Sequence, residues 1–133
     1  MAHVTLLAAC VLPGPPDPAV ERLRLRIHAT RWVAPWIWRS EMRDRLCRAV
    51  RDGRLSLPEA LEREKKAEAF LTRGEVGVQG RDVLRLAHES GWRAAECEFV
   101  CLSRLLGVPL VTLDPALRAA FPADAVAPEA VLA

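Results

Sequence analysis

Apolar residues fall into short blocks separated by proline, glycine and runs of charge, and the blocks alternate between two kinds of spacing. The first block, residues 4–12, is almost continuously apolar, which predicts a buried strand running into a loop. Residues 13–18 hold four prolines and a glycine and break it. Asp17 then offers a helix N-cap with Pro18 at the first helical position. Ala19, Leu23, Ile27 and Ala29 carry that helix to about residue 30. Residues 31–35 read as a short strand ended by Pro35. Over residues 36–52 the apolar positions Ile37, Met42, Leu46, Ala49 and Val50 recur at helical spacing, and Gly53 is the stop. Ser56 with Glu59 three residues later is a capping box opening the next helix. That helix turns Leu57, Ala60, Leu61, Ala67 and Leu71 to one side, and its charged run, residues 62–66, is a solvated face.

The second half repeats the alternation. Residues 75–78 predict a strand, and residues 81–89 and 93–106 predict helices, the latter stopped by Gly107. Residues 108–113 form a hydrophobic strand entered through Pro109. Asp114 and Pro115 open a short helix closed at Phe121 and Pro122, and residues 125–132 suggest an edge strand interrupted by Pro128. Strands alternating with helices predict one α/β domain with a parallel sheet covered on both sides.

Composition narrows the picture. The chain has 133 residues, one domain's length, and 51% apolar residues, enough to fill a core. Net charge is +2, and of 19 basic residues only Lys65 and Lys66 are lysine. A charge that small does not by itself mark a nucleic-acid protein. The four cysteines, Cys10, Cys47, Cys97 and Cys101, contain no C-x-x-C pair. Cys97 and Cys101, four apart on a helix, read as small core residues rather than metal ligands. Free thiols fit a reducing cytoplasm. Leu7 to Cys10 resembles a lipoprotein cleavage box. No Lys or Arg precedes it, however, and the apolar stretch is short for a signal peptide, so it reads as the buried strand. No segment reaches the ~20 apolar residues of a membrane span.

In such sheets reactive groups gather beyond the carboxyl ends of the strands. Asp114 directly follows a predicted strand, Glu41 lies in the first turns of a helix after a strand, and Glu96 lies near the start of the helix before Asp114. All three carboxylates can therefore face the same end. Clustered carboxylate oxygens are what Mg²⁺ or Mn²⁺ requires, and such an ion can activate water against a phosphodiester. Each residue has a plainer reading: Asp114 as a helix N-cap, Glu41 as a surface helix residue, Glu96 as a partner of Arg93 or of solvent.

Several segments resemble one family. Residues 32–46, WVAPWIWRSEMRDRL, resemble the region around the second acidic residue of VapC-type PIN domains, and residues 53–60, GRLSLPEA, continue it. Residues 96–103, ECEFVCLS, are similar to the family's third-acid helix, and residues 106–114, LGVPLVTLD, to its segment ending in the fourth acid. The resemblance implies a three-layer α/β/α fold with a central, mainly parallel sheet of four to five strands. It implies a Mg²⁺- or Mn²⁺-dependent endoribonuclease of toxin–antitoxin type, in the cytoplasm, acting on RNA. It also implies a small antitoxin partner and a homodimer, with no membrane association. Carried over, Glu41 is the second acid, Glu96 the third and Asp114 the fourth, with Thr112 the neighbouring hydroxyl. Two positions depart from the family's pattern. Thr5 matches the hydroxyl that follows the first acid, which puts His3 where that Asp belongs, as a fourth metal ligand or an outer donor. Glu96 stands where Asp is usual. Imidazole favours softer ions than Mg²⁺ and removes a negative charge, so the alternative is a catalytically inactive module keeping dimer or partner contacts. Ala95 and Arg93 also depart, and Arg93 is placed to neutralise Glu96. Trp32, Trp36 and Trp38 read as packing or dimer contacts ahead of stacking platforms for RNA bases.

Overall fold

In the computed structural model, which describes residues 1–132, helix accounts for 59% of the chain and strand for 7%. The expected central sheet of four to five strands is not formed. Among the described residues, strand pairing comprises two parallel two-stranded ribbons, β1 (Ala34–Pro35) with β2 (Glu75–Val76) and β3 (Leu110–Val111) with β4 (Ala125–Val126), and one isolated parallel bridge between Ala2 and Val111. Prolines explain much of the truncation. Pro35 has no N–H to continue β1, Pro109 bars pairing before Leu110, and Pro128 diverts the predicted edge strand into a 3₁₀ turn, Pro128–Val131. The structure is a helical assembly pinned by short parallel contacts.

The largest correction is at the N-terminus. Residues 4–12 are not a strand: Val4–Val11 is a helix, α1. A continuous apolar run fits a buried helix as well as a buried strand, because periodicity vanishes when every face is covered. Leu and Ala favour the helix, and the His3 side chain caps it by accepting from the Thr5 N–H. The extended stretch lies earlier, at residues 1–3, between the two ribbons. The Ala2 N–H donates to Val33 O at 2.9 Å, the Val111 N–H to Met1 O at 2.9 Å, and the His3 N–H to Val111 O at 3.0 Å.

Other sequence expectations hold with shifted ends. Asp17 caps α2 (Pro18–Leu25), accepting from the Ala19 and Val20 N–H groups at 2.9 and 3.2 Å, but α2 stops at Leu25, short of residue 30. Next comes α3 (Trp38–Arg51), with Gly53 just beyond it in the left-handed region (φ 72°). The capping box opens α4 (Leu57–Phe70) with both its bonds made: the Glu59 N–H donates to Ser56 Oγ at 3.2 Å and the Ser56 N–H to Glu59 Oε2 at 2.9 Å. Then follow α5 (Gly80–Ser90), α6 (Ala94–Leu106) and α7 (Pro115–Ala120).

The core is one contiguous cluster. It joins α1 (Val4, Leu7, Val11) to Trp38 and Met42 of α3, Phe99 and Val100 of α6, Leu110 and Leu117. Trp32 and Trp38 belong to it, whereas Trp36 is 57% exposed. At Gly74, whose C=O accepts from the Ala34 N–H at 2.9 Å, a Cβ would lie 2.0 Å from Trp32 O. Only glycine lets β1 meet the chain entering β2. No helix among the described residues is long and apolar enough to cross a membrane.

Candidate functional site

The sequence-predicted site residues all sit at helix starts. His3 caps α1, Glu41 and Glu96 lie in the first turns of α3 and α6, and Asp114 caps α7. Helix N-termini carry partial positive charge and favour carboxylates there, which gives each acid a local reason for its place. Asp114 Oδ1 accepts from the Ala116 N–H at 2.9 Å and, more distantly, from the Leu117 N–H at 3.4 Å.

His3 is the hub. Its ring is buried, 1% exposed, and meets the Phe99 ring edge-on at a centroid distance of 4.7 Å. His3 Nε2 lies 2.7 Å from Glu96 Oε2. The carboxylate can only accept there, so Nε2 carries the hydrogen and donates. His3 Nδ1 forms a triangle with two hydroxyls: 3.0 Å to Thr5 Oγ1, 3.0 Å to Thr112 Oγ1, and 3.1 Å between the oxygens. Thr5 Oγ1 accepts from the Leu113 N–H at 2.9 Å and Thr112 Oγ1 from the Asp114 N–H at 3.1 Å. Those acceptances leave both hydroxyl protons to serve the triangle, one to Nδ1 and one to the other oxygen. Arg118 adds a bond from Nη1 to Thr112 O at 2.9 Å. His3, Thr5, Thr112 and Glu96 thus form one closed network.

Glu41 and Asp114 border this network without their carboxylates entering it. Arg93 Nη2 donates to Glu41 Oε1 at 3.0 Å. The expected Arg93–Glu96 pair is therefore replaced by two pairs, Arg93 with Glu41 and His3 with Glu96. The His3 hydrogen bond holds the Glu96 carboxyl below its usual range. Burial opposes this, the charges of His3 and Arg93 assist it, and Asp114 opposes it again. Arg93 and Asp114 therefore both lie within electrostatic reach of Glu96.

As arranged, this donor set does not fit Mg²⁺. The imidazole nitrogen facing Glu96 presents a hydrogen where a metal needs a lone pair, and Arg93 already neutralises Glu41. Among the described residues no group of three or more His, Cys, Asp or Glu side chains is placed to hold a metal ion. The cysteines behave as core thiols. Cys97 is fully buried and Cys101 half-buried, burial pushes both thiols up, and burial pushes Cys10 up to about 12. Cys47 departs from that pattern and is exposed.

Sequence reasoning identified every member of the network but not its wiring. The one signal for it was His3 standing at an acidic position two residues before Thr5. The chain matches no protein-family model and no curated protein.

Proposed function

We propose that this is a VapC-like protein whose acidic site is closed by its own hydrogen-bond donors, and that it works as a binding module rather than as a robust Mg²⁺-dependent endoribonuclease. The observation that carries the reading is the 2.7 Å contact between His3 and Glu96 inside a satisfied network. Carboxylates gathered for a hard cation depend on that cation for counter-charge. Here the His3 Nε2–H donates to Glu96 and Arg93 pairs with Glu41, so both carboxylates are held from within. The similarity of residues 96–103 and 106–114 to the VapC segments supports the family, and the family supports partners of the antitoxin or homodimer kind.

A second reading, a Mn²⁺-preferring endoribonuclease, rests on a different observation. Glu41, Glu96 and Asp114 each engage only one carboxylate oxygen among the described residues, and the Arg93 side chain is 70% exposed and free to swing away. Imidazole beside carboxylates suits Mn²⁺ better than Mg²⁺.

RNA cleavage assayed with Mg²⁺ and with Mn²⁺ separates the two. The binding-module reading expects an inert wild type and cutting gained by His3→Asp. Metal-dependent cutting by wild type, lost in Asp114→Asn, would overturn it and establish the nuclease.

A further inference from the structure

Away from the acidic site, two open hollows adjoin along the C-terminal end of α4. One, of about 720 Å³, is lined by Arg24, His28, Arg31, Trp32 and Phe70; the other, of about 630 Å³, by Trp36, Arg39, Lys65, Glu68, Arg73 and Glu75. Both include Ala69 and Thr72, so they form one strip. None of His3, Glu41, Glu96 or Asp114 lines it.

Three features of the strip point to one ligand chemistry. First, five arginine and lysine side chains and two carboxylates line the strip; Arg39 binds both carboxylates, Glu68 at 2.6 Å and Glu75 at 2.5 Å, and Arg24 pairs with Glu21 at 2.8 Å, which leaves Arg31, Lys65 and Arg73 without a carboxylate partner among the described residues. The strip is therefore more positive than the chain as a whole, whose net charge is only +2. Second, among the described residues Trp36 is the one aromatic of the large exposed apolar side chains, and the Arg39 guanidinium lies 6.0 Å from its ring centroid. Third, Arg73 holds a left-handed backbone (φ 60°) that arginine disfavours, and the Arg31 guanidinium donates to its carbonyl. That contact fixes the junction of the two hollows.

We propose that this strip binds single-stranded nucleic acid without sequence preference, one base stacking on Trp36 and the phosphates running past Lys65, Arg73 and Arg31. A flat exposed ring within a cationic groove is what stacking plus phosphate contact requires, and two joined hollows accommodate more than one nucleotide. An acidic peptide would use the cations but has no need of the ring. The site needs no metal and stands whether or not the acidic pocket is active.

The test is fluorescence anisotropy in EDTA with labelled single-stranded 12-mers of U and of A, a duplex of equal length, and labelled polyglutamate. Both single strands should bind alike and more tightly than the duplex. Affinity should fall about twentyfold between 50 and 200 mM NaCl, as three phosphate contacts imply. Trp36→Ala should weaken binding at least about fivefold with the salt dependence kept. The pair Lys65→Glu with Arg73→Glu should reduce both affinity and salt dependence. An equal charge change elsewhere, Arg48→Glu with Arg81→Glu, should cost less than twofold. All these positions except Trp36 are solvated charges, and thermal melting checks that each variant is folded. No binding at 50 mM NaCl, polyglutamate binding as tightly as the strands, Trp36→Ala without effect in a folded protein, or equal losses from the two charge-reversal pairs would each overturn the proposal.

Discussion

Truncating Glu96 tests whether the acidic end is held by its own hydrogen bonds or waits for a cation. In Glu96→Ala the His3 Nε2–H, in a ring only 1% exposed, loses its acceptor. A hydrogen bond to a charged group contributes about 1.5–3 kcal/mol, and an orphaned buried donor costs a similar amount. The Glu96 side chain is 14% exposed, so water can reach part of the gap, and about 2 kcal/mol is the expected loss. For a domain of this size that lowers Tm by roughly 6–10 °C. Glu41→Ala removes the same charge from the same end. Its partner Arg93 is 70% exposed, and such a pair is worth at most about 1 kcal/mol. Thermal and urea unfolding in EDTA measure both variants. The opposite picture, three carboxylates repelling one another until a metal arrives, predicts that either truncation stabilises the apo-protein. A Glu96→Ala chain as stable as wild type in EDTA, or more so, refutes the closure of the site by the His3–Glu96 hydrogen bond.

Three further outcomes follow from single contacts. Glu96 is held below its usual range when folded, so its contribution is full above the unfolded value near pH 4.3 and is lost as pH falls through the lower folded value. The urea midpoint should therefore fall less on acidification from about pH 5 to about pH 3 in Glu96→Gln than in wild type. Gly74→Ala puts a Cβ 2.0 Å from Trp32 O, a backbone atom that cannot step aside, and should cost about 3 kcal/mol or more in urea unfolding. Asp114→Ala should lose about 1 kcal/mol with the α7 cap, whereas Asp114→Asn keeps the cap and most of that stability.

Features governed by neighbours in sequence were legible. Asp17, Ser56 with Glu59, and Asp114 act within three residues of themselves, and each caps the helix it was expected to cap. Gly107 stops α6 by adopting φ 64°, where a side chain would be strained. Sheet content was not legible, because apolar runs report burial and not backbone shape. The same pattern that predicted a strand over residues 4–12 is satisfied by α1, covered on nearly all sides. Prolines 35, 109 and 128, each noted in the sequence, limited the ribbons to two residues apiece more severely than expected.

The site divides along the same line. Spacing could place a carboxylate at a helix start, since the helix terminus itself favours one. It could not say which cation each carboxylate would meet, because those partners lie 93 residues away for Glu96 and 52 for Glu41. Arg93, three residues before Glu96, looked like its neutralising neighbour. As the residue before the first turn of α6, however, it lies on the exposed rim and reaches outward to Glu41, while Glu96 turns inward to His3. The choice between a metal site and an internal hydrogen bond therefore rests on the hydrogen at His3 Nε2. Thr5 and Thr112 govern that hydrogen by occupying Nδ1: while one of their hydroxyls donates there and the other supports it, the ring's own hydrogen stays on Nε2, aimed at Glu96. Thr112→Val removes one of those hydroxyls. It should loosen the tautomer that excludes a metal, visible by NMR as a mixed Nδ1/Nε2 protonation pattern for His3. An unchanged single-tautomer spectrum in Thr112→Val would show that the Thr112 hydroxyl is not needed and that Glu96 and Thr5 hold the hydrogen in place.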